Sequence, residues 1–326
     1  MLRYAARRLL ELIPTTLGIL LLAFVLFNVV VGSSPALTIL GKGADERSIA
    51  AFNKRYGYDK PLIVGKWGSV EGEKAWKGLL DSQFCSFVKG VATGDLGYST
   101  KMNEPVKDVL KRGVGPSLSL TVPILVAGTL FALALAMLSA AFRGGAVDKT
   151  ILFFSAALMS VNYVIWVLLG QFLLAFKAGW FPIWGYGGAM YLALPVIIGI
   201  VSSLGMDVRF YRTAILDELF KPYVLTARSK GLSRVVIMTR HVLRNALIPI
   251  VTYISLSIPY LFTGSLLLES FFGIPGLGSV SINAIQSGDL AVVRALVVFG
   301  ALVYQVVNLA TDLLYAVLDP RIRLSK

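Results

Sequence analysis

Six segments of this sequence are apolar and long enough to cross a membrane as helices. A transmembrane helix needs about 20 predominantly apolar residues. The segments are roughly Leu12–Val31, Pro116–Ala141, Thr150–Phe176, Met190–Met206, Leu247–Leu268 and Ala291–Leu318. They lack the alternating pattern of barrel strands, so the sequence predicts an all-α membrane protein with six transmembrane helices. Consistent with this, 56% of the 326 residues are hydrophobic, against about 45–50% in soluble domains.

Lysine and arginine cluster at alternate span ends, which predicts the orientation of the chain. They precede span one, separate spans two and three, fill the connection after span four and end the chain. The residues are Arg3, Arg7, Arg8, Arg143, Lys149, Arg209, Arg212, Lys221, Arg228, Lys230, Arg234, Arg240, Arg244, Arg321, Arg323 and Lys326. Both termini and loop 207–246 are therefore expected on the cytoplasmic side. The start of the chain is predicted to be an uncleaved anchor, because its apolar stretch exceeds a signal-peptide core.

This orientation gives a simple predicted organisation. An anchor helix occupies residues 1–31, and residues 32–115 form an external loop region. A core transmembrane domain follows over 116–318 and contains the cytoplasmic loop 207–246. Residues 319–326 form a cytoplasmic tail.

The sequence contains no motif that would make the chain an enzyme. The phosphate-binding loop G-x-x-x-x-G-K-[ST] is absent, and so is the zinc motif H-E-x-x-H. The chain has one histidine and one cysteine, Cys85, so we expect no catalytic group, no metal site and no cofactor in this chain. A net charge of +13 suggests nucleic-acid binding at first sight. The basic residues lie at span ends, however, and not among aromatic residues of a soluble domain, so we do not expect nucleic-acid binding.

The loop after span four contains a predicted short helix. Pro222 suits the first turn of a helix, nothing breaks the helix from Tyr223 to Lys230, and Gly231 suits the left-handed position past its end. We expect Leu219, Phe220, Tyr223, Val224 and Ala227 on one face, with Asp217, Glu218, Lys221 and Arg228 largely opposite. A second helical stretch starts at Arg234 and runs into span five. The loop is either a topogenic basic loop in contact with anionic lipid or a docking element for a cytosolic partner.

The stretch "PYVLTARSKGLSRVVIMTRHVLRNALIPIV" resembles the cytoplasmic EAA loop of ABC importer permeases, and most closely the oligopeptide/dipeptide permease family. Ala227 and Gly231 match the alanine and glycine of that loop. Arg240, His241, Arg244, Asn245 and Pro249 match the "RHxxRNxxxP" run of this branch. Leu225 stands where many ABC permeases have glutamate, and Lys221-Pro222 replaces a usually acidic approach to the helix.

Other segments resemble the same family in the same order. They are "RYAARRLLELIPTTLGI" at the N-terminus, "GDLGYS" before span two, "ESFFGIPGLGSVSINAI" between the last two spans, and "DLLYAVLDPRIR" near the C-terminus. Residues 68–85, "GSVEGEKAWKGLLDSQFC", depart from the family as an apparent insertion in the outer loop. The insertion is either a tolerated surface segment or an added contact with an external binding protein.

The resemblance implies a type I ABC importer permease fold in a multi-pass protein of the bacterial inner membrane. The implied partners are a second homologous permease, two cytosolic ABC ATPases that bind ATP and Mg²⁺, and an external substrate-binding protein, within membrane lipid and without nucleic acid. The expected ATPase-coupling residues are Tyr223, Val224, Ala227, Arg228, Lys230, Gly231, Leu232 and Ser233.

Two further groups of residues are candidates for the transport route. Asn162, Gln305 and Asn308 are polar residues inside spans, where polar side chains line pathways or tie helices together by hydrogen bonds. The run Gly273, Pro275, Gly276 and Gly278 predicts either a re-entrant external gate or a tight turn before a surface helix.

Two rival functions remain open from the sequence. A stand-alone channel or secondary carrier would use the basic loop only for topology, although no internal repeat supports a carrier. A membrane-anchored receptor or scaffold would carry no solute. Within the resembling family the solutes are oligopeptides, dipeptides and, in some branches, nickel, glutathione, modified peptides or sugars, so the sequence does not identify the substrate.

Overall fold

The computed structural model of the protein describes residues 2–30, 43–56, 58–65, 78, 81–99 and 101–318. Its helices are α1 (Leu2–Val25, extended by a π-helical turn at Leu26–Val30), α2 (Glu46–Tyr56), α3 (Gln83–Thr93), α4 (Val106–Ala141), α5 (Ala146–Ser160), α6 (Tyr163–Lys177), α7 (Ala189–Leu219), α8 (Pro222–Ser229), α9 (Arg234–Thr263), α10 (Leu266–Phe272), α11 (Leu277–Ser287) and α12 (Leu290–Leu318). The predicted helical class is confirmed, with one small addition. Strands β1 (Tyr98–Ser99) and β2 (Glu104–Pro105) form an antiparallel ladder in which Tyr98 faces Pro105.

Candidate membrane spans fall into two kinds. Five helical segments are long and apolar enough to cross a membrane: Leu10–Val30, Val106–Ala141, Ala189–Leu219, Arg234–Thr263 and Leu290–Asp312. Two bent pairs, α5–α6 and α10–α11, pass the same test and raise the number to as many as seven. Each predicted span overlaps one of the five segments or the α5–α6 pair. The number six and the cytoplasmic termini stay predictions. Most of the apparent insertion at 68–85, and all of the tail 319–326, lie outside the described residues.

The third predicted span is not one straight helix. The chain bends by 91° between α5 and α6, where Val161 and Asn162 leave the helical conformation. The side chain of Asn162 accepts a hydrogen bond from Val164 N at 2.9 Å, which satisfies a free N–H at the start of α6. An asparagine N-cap therefore begins a second helix inside a segment whose hydropathy is continuous.

The fourth predicted span ends too early, because helix α7 continues to Leu219. The second helical stretch predicted from Arg234 into span five is confirmed as α9. The cytoplasmic placement of residues 207–246 stays a prediction. Charged residues suggested a loop, yet the buried positions keep a helical spacing through Gly205, Val208, Ile215 and Glu218. The fifth span also shifts: α9 ends at Thr263, because Gly264 takes φ +77°, and its last predicted residues belong to α10.

The described residues form two compact units. The first contains Met1–Lys111 and Asn283–Gln305. In it, Leu20 and Ala23 of α1 pack with Val298 of α12, and Phe24 meets the ring of Phe84 edge-on at 5.5 Å.

The second unit contains Arg112–Ile282 and Val306–Lys326. Two apolar clusters form its core, and α7 contributes to both of them. One cluster includes Leu194 and Ile198 with Leu120 of α4. The other joins Tyr211 and Ile215 to residues of α4, α8 and α9. Helix α7 is thus the central element of this unit.

A buried ion pair fixes the connection between α4 and α5 against α7. The guanidinium of Arg212 donates to both carboxylate oxygens of Asp148 at 2.8 Å. Ser139 also donates to the Asp148 carboxylate, and Gly144 N donates to it at 2.8 Å. Only 4% of the Asp148 side chain and 17% of the Arg212 side chain are exposed. Every charge in this cluster is matched by hydrogen bonds, which a buried ion pair requires.

Replacement of Asp148 by alanine should strongly destabilise the protein. It leaves the Arg212 cation buried without its partner, at an expected cost of about 3–5 kcal/mol in the free energy of unfolding. The check is thermal unfolding of the purified protein in detergent. Adding Arg212→Met to Asp148→Ala should recover part of the loss.

The matched control is Asp81→Ala, which breaks the more exposed Lys60–Asp81 pair. It should cost less than about 1 kcal/mol, as half-exposed pairs do. Equal losses from Asp148→Ala and Asp81→Ala would contradict the assigned role of the buried pair.

Candidate functional site

The expected coupling residues form a defined element, here called the coupling segment, residues 220–233. Pro222 is the first residue of α8, as predicted. Gly231 has φ +75° and its N–H donates to Arg228 O at 2.9 Å. Ser233 begins α9 as its N-cap, accepting from Val236 N. The predicted order of short helix, glycine turn and second helix is therefore confirmed.

One face of α8 is buried against α4, α7 and α9. Val224 and Ala227 are 1% and 6% exposed and pack among core residues of α7 and α9. Tyr223 is half-buried and donates its hydroxyl to Glu218 Oε2 at 2.8 Å. Burial is the main cause that raises the pKa of Tyr223, so this hydroxyl remains a donor. These three residues anchor the helix.

The opposite face of the coupling segment is exposed. Leu225 and Phe220 are each 63% exposed. Arg228, Lys230, Gly231, Leu232 and Ser233 are also exposed. The predicted amphipathic face is wrong at two positions, since Phe220 is exposed and Glu218 is buried. The chain turns between α7 and α8, so residues on the two helices do not share one face. The exposed side chains of Phe220, Leu225 and Leu232 are here called the apolar knob, and those of Arg228 and Lys230 its basic rim.

Contacts on either side hold the coupling segment to the ends of neighbouring helices. The Arg234 guanidinium donates to the carbonyl of Ala141, the last residue of α4. The guanidinium carbon of Arg143 lies 4.6 Å from the centre of the Phe220 ring, within cation–π range. Lys221 pairs with Glu218 near the end of α7. Together with the core packing of Val224 and Ala227, these contacts connect the coupling segment and the start of α9 to α4 and α7.

The glycine-rich run forms a tight turn around one buried carboxylate. Glu269 is fully buried, and its oxygens accept from Ser117 Oγ at 2.8 Å, Ser265 N at 3.0 Å and Ser279 N at 3.1 Å. Gly276 and Gly278 lie so close to this carboxylate that a Cβ at either position would collide with it. Glu269 thus holds α10 and α11 in their 85° bend.

The two remaining members of the run shape the same turn. Gly273 has φ +67° and faces the Trp184 ring, and Pro275 is exposed. These residues form a turn between α10 and α11. Both the re-entrant external gate and the surface helix after a turn stay predictions.

An open cavity of about 390 Å³ lies within the second unit. Its wall comes from α4, the start of α6, α7, α9 and the start of α10. Hydroxyl groups are frequent on it, among them those of Thr129, Ser203, Tyr253 and Ser257. Asp207 is the only charged residue on this wall within the part of the chain described.

The three candidate pathway residues are not brought together. Asn162 is exposed and caps α6. Gln305, in the first unit, is 8% exposed and accepts a hydrogen bond from Thr16 of α1, which supports the helix-tying interpretation. Asn308 belongs to the second unit and is half-buried. None of the three is among the described residues that line the 390 Å³ cavity, so their pathway role stays a prediction.

Sequence reasoning missed the acidic residues that matter most here. Asp207 follows the predicted end of span four by one residue, and Asp148 precedes span three, so both were assigned to loops. Glu269 lies at the start of the outer-turn segment, where no sequence pattern predicts a role for it. A carboxylate next to a long apolar run was the available signal, because such groups need buried partners.

Replacement of Gly276 by alanine should disrupt the outer turn. The added methyl group would collide with the Glu269 carboxyl and Ser117 Oγ, and overpacking of this kind costs about 1–3 kcal/mol. The control is Gly115→Ala on α4, where a Cβ meets nothing within 4 Å and alanine is the better helix former. Thermal unfolding in detergent should separate the two variants, and equal stability would contradict the packing described.

Comparison with known proteins gives one consistent result. Residues 116–324 match the family described as "Binding-protein-dependent transport system inner membrane component". The whole chain is similar to the glutathione transport system permease protein GsiC of Salmonella typhimurium, with 31% identity over 326 residues and 99% of both chains covered. The protein of the same name from Escherichia coli O6:H1 is 30% identical over 326 residues, again with 99% of both chains covered.

Similarity at this level and over this length shows the family. The family match alone covers more than half of the chain. The long apolar helices agree with a membrane component. The chain therefore belongs to the binding-protein-dependent transport system inner membrane components, and it is a multi-pass permease subunit of an ABC importer in the bacterial inner membrane.

Proposed function

We propose that this permease imports small peptides or peptide-like solutes and that α8 couples it to cytosolic ATPases. The observation that carries this proposal is the coupling segment, a short helix with a buried anchoring face and an exposed apolar knob. A helix of this kind fits a groove on a partner protein, which is a common mode of recognition. Two ABC ATPases, a second homologous permease and an external binding protein complete the importer.

We propose that ATP hydrolysis in the partner subunits moves this chain through the exposed knob of the coupling segment. The chain has no phosphate-binding motif of its own, so ATP and Mg²⁺ belong to the partner subunits. Leu225 and Leu232 contact the ATPase, and Arg228 and Lys230 form the basic rim. When the ATPases close, α8 moves. Tyr223 carries the motion to Glu218 on α7, and Val224 and Ala227 carry it to the core residues of α4, α7 and α9.

The substrate class is proposed from two observations. The relatives reported above are named as glutathione transport permeases, and glutathione is a tripeptide. The cavity volume of about 390 Å³ lies within the range of about 300–1,000 Å³ typical of small-molecule sites. A solute the size of a short peptide suits both observations. External residues of the chain then meet the binding protein that delivers it.

Gly231→Val should leave the protein in the membrane but uncouple ATP hydrolysis from uptake. Position 231 has open space around it, so the substitution acts only through its φ of +75°. For residues other than glycine, this left-handed conformation costs about 1–2 kcal/mol. β-Branched residues such as valine adopt it least readily. We expect a loss of solute uptake of about 5- to 30-fold, since 1.4 kcal/mol corresponds to a factor of 10.

The matched control is Gly231→Asn, because asparagine tolerates the left-handed conformation better than other residues with side chains. It should retain most of the uptake. Measurements are uptake by cells expressing the complete importer, ATPase activity of the purified complex, and the amount of the chain in the membrane. Normal uptake by Gly231→Val, or equal defects in the two variants, would count against the coupling role.

A further inference from the structure

Asp207, which is half-buried, differs in its partners from the buried acids of the second unit, among which Glu218 pairs with Lys221. Asp148 is neutralised by Arg212, and Glu269 is surrounded by a serine hydroxyl and backbone N–H groups. Asp207 accepts a hydrogen bond from the Tyr253 hydroxyl at 3.0 Å. The Ser203 hydroxyl lies close enough to influence it, although that hydroxyl donates to Ile200 O at 3.3 Å. Neither hydroxyl carries a positive charge. Among the described residues, no lysine, arginine or histidine forms an ion pair with it.

The position of Asp207 gives this carboxylate access to a ligand. It is half-buried on α7 and lies on the wall of the 390 Å³ cavity. The described part of that wall contains no cation that could neutralise it. An acidic group in a membrane span is costly and is usually retained for a function. A positively charged ligand would supply Asp207 with the counter-ion that the described residues do not provide.

Aromatic rings beside the carboxylate suit the same kind of ligand. Tyr253 stacks on Phe210 with ring centres 4.4 Å apart and meets Tyr211 edge-on at 6.0 Å. Tyr211 and Tyr253 both line the cavity. An ammonium group is attracted to aromatic faces as well as to carboxylates. The frequent hydroxyl groups of the wall can accept further hydrogen bonds from its N–H donors.

We propose that Asp207 binds the positively charged amino group of the transported solute within this cavity. The inference rests on the proposed function, because it takes the cavity to be part of the solute's route. It narrows the substrate class to solutes with a free ammonium group, such as peptides with an unblocked N-terminus. An anionic group would instead be repelled from this wall.

A cysteine probe tests the site without requiring transport of any particular solute. Cys85 is the only cysteine of the chain, so Cys85→Ser gives a cysteine-free background in which Ser257→Cys places one thiol on the cavity wall. The assembled importer is treated with a trimethylammonium methanethiosulfonate or with its sulfonate counterpart. Modification of this chain is followed by mass spectrometry. Each rate is divided by the rate of the same reagent with a free thiol in solution.

With Asp207 present, the cationic reagent should be favoured by about 10-fold or more, the order expected of a nearby unit charge in a partly buried site. Asp207→Asn should abolish the preference, and Asp207→Glu should keep most of it. Tyr253→Phe removes the hydroxyl that links α9 to α7 but keeps the acid, so it should also keep the preference.

Several results would overturn the proposal. They are a thiol that neither reagent reaches, an absence of cation preference while Asp207 is intact, and a loss in Tyr253→Phe as large as that in Asp207→Asn. The last result would make Asp207 a structural tie between two helices. The first two do not require any variant of Asp207 to fold.

A second readout uses solutes. Uptake of glutathione and trialanine is compared with uptake of their N-acetyl forms, in importers with Asp207 or Asp207→Asn. The variant should lower uptake of the free amines by about 10-fold and change that of the acetylated forms much less. Equal loss for both forms would contradict an amine site. If the unmodified importer takes up none of the four, the proposed substrate class fails, and the thiol result alone decides the site.

Discussion

Acidic side chains among apolar helices are the constraint on which the second unit depends. A carboxylate removed from water must be matched by hydrogen bonds or by a counter-ion. Asp148 meets this requirement with Arg212 and fixes the corner after α4. Glu269 meets it with Ser117 and backbone N–H groups and fixes the bend between α10 and α11. At Asp207 the protein supplies hydroxyl groups only, and this difference separates a functional acid from the two structural ones.

Helix α7 connects these features along one axis. It carries Asp207 on the cavity wall, then Arg212 in the buried ion pair, and it ends at Leu219 just before the coupling segment. At 1.5 Å per residue, the acid lies about 18 Å from the end of the helix. Between them, Val208, Tyr211, Ala214 and Ile215 belong to one core cluster. Motion imposed on α8 therefore has a short and rigid route to the cavity, as the proposed mechanism requires.

Some of this architecture followed from the sequence. Apolar runs located the helices, and Pro222 with Gly231 located the coupling helix to within a residue or two, because both residues have strong local preferences. The conformational preferences of single residues did not predict features that depend on contacts with residues distant in the sequence. The span ended too early at Met206 since Arg212 looked solvated, whereas its partner Asp148 lies far away in sequence. The break at Asn162 was missed because hydropathy does not register a cap, and the exposure of Phe220 depends on a turn between two helices.

The central claim is that α8 docks onto an ATPase, and site-specific cross-linking tests it most directly. In the cysteine-free background, a photoreactive amino acid replaces Leu225, which is exposed, or Val224, which is buried. After irradiation of native membranes, the cross-linked proteins are identified by mass spectrometry. We expect the photoreactive residue at position 225 to cross-link to an ABC ATPase, and the one at position 224 to cross-link only within this chain. Failure of position 225 to capture any ATPase, in membranes that show active uptake, would contradict the account.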